Sequence, residues 1–192
     1  MKRLVLISYN QHKFYEYQRL LKDTSFKLEP LEVHFSGHLE ETGSTFEANA
    51  LQKLKQIKKH ANTYYIAEDS GLVIDALNGE PGIYSARYAA SGKPSDNIEK
   101  VLFKMQNVSQ RNAYFKAVIA LFEPSGVVTT FEGVCHGRIH TQSEGQSGFG
   151  YDPIFIPIGT DQTFAQLGED IKHTLSHRFA ALQKLKGYLH EV

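Results

Sequence analysis

The chain has 192 residues, 41% of them hydrophobic, which suits one large domain or two small lobes around a sizeable core. Lys plus Arg and Asp plus Glu both total 21, so no global positive field exists to hold a nucleic-acid backbone or an anionic membrane surface. Any anionic ligand is then bound by local basic groups.

No apolar run reaches the roughly 20 residues of a membrane-spanning helix. Met1-Lys2-Arg3 leads straight into the strand-like Leu4-Val5-Leu6-Ile7 and not into a signal-peptide core, so a cytoplasmic location is expected. A single cysteine, Cys135, excludes an intrachain disulfide and a cysteine-rich zinc site. With Phe131 and Val134 nearby, it reads as a packed thiol.

In chain order, Leu4 to Ile7 reads as a strand buried on both faces, followed by a polar turn and a helix with Phe14, Tyr17, Leu20 and Leu21 inward. Ser44 with Glu47 suggests a helix start, and Phe46, Ala50, Leu54, Ile57 and Ala61 form one apolar stripe ending near Asn62. Tyr64–Ala67 and Leu72–Leu77 read as two strands interrupted by Glu68-Asp69-Ser70-Gly71, and residues 78–82 carry turn chemistry. Asp96–Gln106 predicts a helix with Ile98, Val101, Leu102 and Met105 inward, then a polar loop. Tyr114–Phe122 and Val127–Phe131 predict a hairpin turning at Pro124-Ser125-Gly126. Leu175, Phe179, Leu182, Leu185 and Leu189 mark a closing amphipathic helix. Together these predict an α/β fold: an elongated mixed β-sheet flanked by helices, with two lobes around a central cleft, in a single domain spanning 1–192.

Several short motifs carry chemistry. Ser8-Tyr9-Asn10-Gln11-His12-Lys13 lies between a buried strand and a helix start, where free N–H groups and the helix dipole favour an anion. Taken alone, such a turn is more often a plain loop. Glu40, Glu41, Glu68 and Asp69 are oxygen donors of the kind a hard cation such as Mg²⁺ takes alongside phosphate, although acidic pairs are commonly just solvated. Asn49 and Lys53 share a helix face, where Lys53 either reaches an anion or covers apolar surface. In Gly148-Phe149-Gly150-Tyr151-Asp152-Pro153, glycines flank an aromatic ring able to stack on a base.

The order and spacing of these motifs, with Pro81-Gly82-Ile83-Tyr84-Ser85-Ala86-Arg87 and Ser176-His177-Arg178, resemble the inosine triphosphate pyrophosphatase family over nearly the whole chain. That resemblance implies hydrolysis of non-standard purine nucleoside triphosphates (ITP, dITP, XTP) to monophosphate and pyrophosphate with Mg²⁺, by a homodimer. It implies Asp69 as catalytic base and metal contact, with Glu41, Glu40 as its alternative, and Glu68 as further metal ligands. It assigns Ser8, Tyr9, Asn10, Gln11, His12, Lys13 and Lys53 to the phosphate side and Ser70 to substrate binding. Phe149, Gly150, Tyr151, Asp152, Lys172, His177 and Arg178 fall on the base and sugar side. Tyr9 stands where the family has glycine, Ala48 where it usually has Glu, and Glu68 where its motif begins with Asp. The competing expectations are a nucleotide-binding protein without turnover, a pyrophosphatase for other nucleotides, and a nucleic-acid module using Lys53, Lys55, Lys58 and Lys59, which the zero net charge disfavours.

Overall fold

Leu4, Val5, Leu6 and Ile7 are all fully buried, because the first strand is covered on both faces. In the computed structural model, which describes residues 1–31, 35 and 37–191, that strand is β1, Lys2–Ile7. It is followed by α1 (Gln11–Leu20), β2 (Phe26–Pro30), α2 (Phe46–Gln56), β3 (Thr63–Ile74) and α3 (Pro94–Lys104). The chain continues with β4 (Asn112–Phe122), β5 (Val128–Ile139), β6 (Phe155–Pro157), α4 (Phe164–Leu167), α5 (Glu169–Leu175) and α6 (His177–Glu191). Among the described residues the strands form one sheet in the order β2-β1-β3-β4-β5-β6. β1 pairs in parallel with both β2 and β3, and β5 pairs antiparallel with β6, so the sheet is mixed and the fold is α/β.

The chain divides into two compact units. The first comprises residues 1–69, 117–133 and 181–192. Its strands alternate cleanly: Leu4, Leu6 and Ile66 pack with Tyr17, Leu21 and the Ala181, Leu182, Leu185 and Leu189 stripe of α6. Val5, Ile7, Tyr65 and Ala67 pack instead with Ala50, Leu54 and Ile57. This period of two is what a helix layer on each side of a sheet demands. The second unit, residues 70–116 and 134–180, has its own core of Leu72, Ile74, Val101, Met105, Phe115, Phe155 and Phe164 with neighbours.

Several element boundaries differ from the sequence reading. The cap of α2 is Thr45, whose hydroxyl accepts the Ala48 N–H, and not Ser44. That helix stops at Gln56 because Ile57 turns extended (φ −101°, ψ 133°) to bury itself in the core; Ala61 is exposed. β3 is one continuous strand through Glu68-Asp69-Ser70-Gly71, so the acidic pair lies within the sheet and not at a break. Side chains from elsewhere satisfy its polar residues, which removes the need for a turn. Leu175 lies on α5 and is exposed; Ser176, in extended conformation, separates it from the stripe of α6. β5 continues past Phe131 to Ile139.

Candidate active site

Asp69 is held by α2. Asn49, fully buried, donates from Nδ2 to Asp69 Oδ2 at 2.8 Å and accepts the Gly43 N–H on Oδ1 at 2.7 Å. A Cβ at Gly43 would meet Asn49 Oδ1 at 2.8 Å, so only glycine lets the segment approach this closely. One turn along the helix face, the Lys53 ammonium donates to the Glu68 carbonyl at 2.8 Å, lies 3.7 Å from Asp69 Oδ1, and pairs with Glu41. Burial is the largest influence on Asp69 and raises its carboxyl above the ordinary value, while Lys53, the Asn49 hydrogen bond and Lys13 pull it down. A carboxylate so placed is easier to protonate than an exposed one, as a general base should be.

Of the four acids, Glu41 and Asp69 share the Lys53 cation. Glu68 is committed elsewhere: its Oε1 lies 3.2 Å from the partly buried Lys13 ammonium and its Oε2 accepts the Tyr17 hydroxyl at 2.8 Å, with Glu68 and Tyr17 themselves deeply buried. Glu40 is exposed and is gripped through its backbone, Gln56 Oε1 accepting its N–H at 2.8 Å and Gln56 Nε2 donating to its carbonyl at 2.9 Å. Gln52 does the same for Thr42, accepting its N–H and donating to its hydroxyl, both at 2.9 Å. Tyr17, Gln52 and Gln56 were invisible to motif reading, since a helical tyrosine in an apolar stripe and two helical glutamines carry no signal of their long-range partners.

In the loop after β1, Asn10 caps α1 by accepting the Lys13 N–H at 3.2 Å, and Ser8 accepts the Asn10 N–H at 3.1 Å. Tyr9, in the place of the expected glycine, sends its hydroxyl to the Gly37 carbonyl at 2.6 Å. Gln11 and His12 are exposed on the first turn.

The remaining predicted residues gather in the second unit. Asp152 Oδ2 accepts the Phe149 N–H at 2.9 Å and the Lys172 ammonium at 2.5 Å. Lys172 lies 4.2 Å from the Phe149 ring centroid and Arg178 5.8 Å from it, so two cations engage the ring read from the sequence as a stacking face. Arg178, 2% exposed, donates to the Ser70 hydroxyl at 3.3 Å. The His177 ring stacks on Phe115 at 4.8 Å with only 14° between planes. Tyr151 donates to the Ser85 carbonyl at 2.7 Å, which ties the Phe149 loop to the segment around Gly82–Arg87. Arg87 itself is exposed and lies over Tyr84.

A family model described as the Ham1 family matches residues 4–188. The chain belongs to the Ham1 family. It is 43% identical over 201 residues to a dITP/XTP pyrophosphatase of Oceanobacillus iheyensis, covering 100% of both chains. It is 42% identical over 193 residues to a dITP/XTP pyrophosphatase of Bacillus subtilis, covering 98% of each. Among solved structures, the Staphylococcus aureus Ham1 protein superposes with a TM-score of 0.89 at 41% identity, covering 99% of each chain.

For a Ham1 chain the cation question turns on the donor set. Among the described residues, no three His, Cys, Asp or Glu side chains converge as a preformed metal cage. The geometry nevertheless fits a hard divalent ion held jointly with phosphate, because Glu41 and Asp69 already turn oxygens toward one shared positive charge, and Mg²⁺ commonly needs only one or two carboxylates beside substrate oxygens. No helix among the described residues is long and apolar enough to cross a membrane.

Proposed function

We propose that this chain hydrolyses non-standard purine nucleoside triphosphates, namely dITP, ITP and XTP, to the monophosphate and pyrophosphate, and so removes them from the nucleotide pool. Membership of the Ham1 family and the dITP/XTP pyrophosphatase names of its relatives support the reaction. The observation that carries the chemistry is Asp69, a buried carboxylate with a raised pKa, one oxygen fixed by Asn49 and the other facing Lys53.

In this reading Asp69 Oδ1 takes a proton from water as the water oxygen bonds to the α-phosphorus. The bond from that phosphorus to the bridging oxygen breaks, and pyrophosphate leaves with the electron pair. Lys13 and Lys53 stand against the charge that develops on the phosphate oxygens, with the Asn10-capped start of α1 supplying N–H donors. Mg²⁺ held by Glu41 and Asp69 would supply further charge neutralisation at those oxygens. Glu68 serves by orienting Lys13, not by holding metal.

On the base side, His177, Arg178 and the Phe149 loop favour a 6-oxo purine, because N–H donors aimed at that oxygen are left unpaired by the 6-amino group of adenine. Lys172 and Asp152 hold the loop in shape through their buried ion pair. The resemblance to the family further supports a homodimer working in the cytoplasm, where nucleotide pools turn over.

The test is a nucleotide panel with Mg²⁺ and product chromatography. Fast turnover of dITP, ITP and XTP over ATP and GTP, with pyrophosphate as the leaving product, is expected. Orthophosphate release in a preparation free of inorganic pyrophosphatase, or binding without turnover, would overturn the reading.

A further inference from the structure

Three amide side chains on one edge of α2, Asn49, Gln52 and Gln56, stand three and four residues apart and so project in a row. Each grips a different residue of the segment 40–43. Gln56 binds both the N–H and the carbonyl of Glu40, Gln52 binds the N–H and hydroxyl of Thr42, and Asn49 binds the N–H of Gly43. The rungs read antiparallel to the helix: the last amide holds the first residue of the segment. Two of the three are double hydrogen bonds, which fix both position and direction of the backbone they hold. Residue 41 lies between gripped neighbours, and its carboxylate comes off the segment onto Lys53, the α2 residue adjacent to Gln52.

We infer that Gln52 and Gln56 are positioning residues: with Asn49 they form an amide ladder that sets the Glu41 carboxylate beside Asp69 and thereby tunes the enzyme's affinity for its divalent cation. The inference rests on the reading of Glu41 and Asp69 as the cation's ligands. Its physical basis is entropic and geometric. A segment with no regular structure of its own would spread its one ligating carboxylate over many positions, and ordering it at the moment of cation binding costs conformational entropy. The ladder has already ordered it. Because Asn49 also holds Asp69 Oδ2, one helix edge registers both carboxylates against each other. Outer partners of metal ligands are worth about 10–100-fold in metal affinity when removed.

The experiment compares wild type with Gln52→Met/Gln56→Met, in which side-chain length is kept and the amides are lost. Both glutamines are partly exposed, so folding should survive, and a melting curve on the metal-free proteins checks it. Mn²⁺ binding is measured directly by calorimetry without nucleotide, and hydrogen exchange is followed at the backbone amides of Glu40, Thr42 and Gly43. The expected result is Mn²⁺ affinity weakened at least about tenfold, faster exchange at Glu40 and Thr42, and kcat for dITP recovering toward wild type at saturating Mg²⁺ while the Mg²⁺ concentration for half-maximal rate rises. Unchanged Mn²⁺ affinity in the folded double variant overturns the inference, and so does rapid exchange of these amides in wild type. Should the double variant fold poorly, the Gln52→Met single variant carries the same two readouts. A wild type that binds Mn²⁺ but does not turn over dITP would defeat the proposed reaction and leave the ladder's role measurable by the same binding and exchange data.

Discussion

Asn49 connects Asp69 to the Gly43 backbone through a single amide, with Nδ2 on Asp69 Oδ2 at 2.8 Å and Oδ1 on the Gly43 N–H at 2.7 Å. Since the amide has one acceptor end and one donor end, both partners fix its orientation, and Asp69 is left with Oδ1 as its working oxygen. Asn49→Ala therefore strands the part-buried Gly43 N–H and loosens the buried carboxylate together. Stability should fall by about 1–3 kcal/mol, the cost of a buried group losing its partner. The kcat for dITP should fall about 10²-fold from misplacement. Urea denaturation and steady-state kinetics check both; loss of stability with unaltered kcat would remove Asn49 from the catalytic argument.

Asp69→Asn separates base from fold. Burial is what raises the Asp69 pKa, so in the metal-free protein its ionisation costs stability: the carboxyl is no burden below its unfolded value near 3.8, and stability is lost as pH rises through the higher folded value. Asparagine has no such titration. The melting temperature of Asp69→Asn should equal or exceed that of wild type, with the advantage widening as pH rises from about 4, while turnover drops about 10²–10⁴-fold. A variant keeping more than about a tenth of wild-type kcat at saturating Mg²⁺, far above that range, would mean that Asp69 is not the base.

The contrast between Asp69 and Glu68 shows how far the sequence could be read. β1 and α1 were legible because their apolar spacing is local, and the continuous apolar run from Leu4 to Ile7 already implied two covered faces. Glu68-Asp69-Ser70-Gly71 looked like a strand break because four polar or flexible residues rarely continue a buried strand. The strand continues because Lys13 and Tyr17 reach Glu68, Asn49 reaches Asp69 and Arg178 reaches Ser70, across sequence gaps that no local pattern displays. For the same reason the sequence could only favour Glu41 over Glu40, while the Lys53 contact of Glu41 appears only in the fold. Phe149 was legible as a ring between glycines able to stack on a base, but its two cations lie over twenty residues downstream.

Glu68 should behave as a structural anion. Its side chain is buried against the Lys13 ammonium and the Tyr17 hydroxyl. Glu68→Ala withdraws the carboxylate from the Lys13 ammonium, whose side chain is 13% exposed and can be hydrated, so the loss should stay below the about 3–5 kcal/mol of a fully buried pair broken from one side. Tyr17→Phe removes one neutral-to-charged hydrogen bond and should cost about 1.5–3 kcal/mol. Chemical denaturation ranks the two. A Glu68→Ala protein as stable as wild type would show that the pair is not formed in solution.

Cys135 should be inert in the folded protein. It is a free thiol, 7% exposed, and burial pushes its pKa up to about 11. The thiolate is the reactive form, so at pH 8 the native protein should resist iodoacetamide and the urea-unfolded protein should react readily. Because the folded pKa lies above the unfolded one, this residue's contribution to stability is intact below pH 9 and is lost as pH climbs toward 11. Mass spectrometry of the alkylated chain checks the first claim; rapid native labelling would contradict the packing.

Gly148 and Gly150 flank the same ring but differ in what surrounds them, which allows the Phe149 loop to be tested against an internal control. Both have positive φ, 80° and 63°, so alanine at either position pays the left-handed penalty of about 1–2 kcal/mol. At Gly150 nothing lies within 4 Å of an added Cβ, and that penalty should be the whole effect. At Gly148 the Cβ would meet Asp152 Oδ2 at 2.1 Å. That oxygen accepts both the Phe149 N–H and the Lys172 ammonium, so displacing it breaks a buried ion pair and frees the loop at once. Gly148→Ala should therefore lose several kcal/mol more than Gly150→Ala, in line with the about 3–5 kcal/mol of a broken buried pair. If the loop serves the base and not the phosphates, as proposed above, the KM of Gly148→Ala for dITP should rise more than its kcat falls. Equal losses of stability in the two variants would show that the Asp152–Lys172 pair does not hold the loop. A kcat defect with unchanged KM would move the Phe149 loop from base recognition to the chemical step.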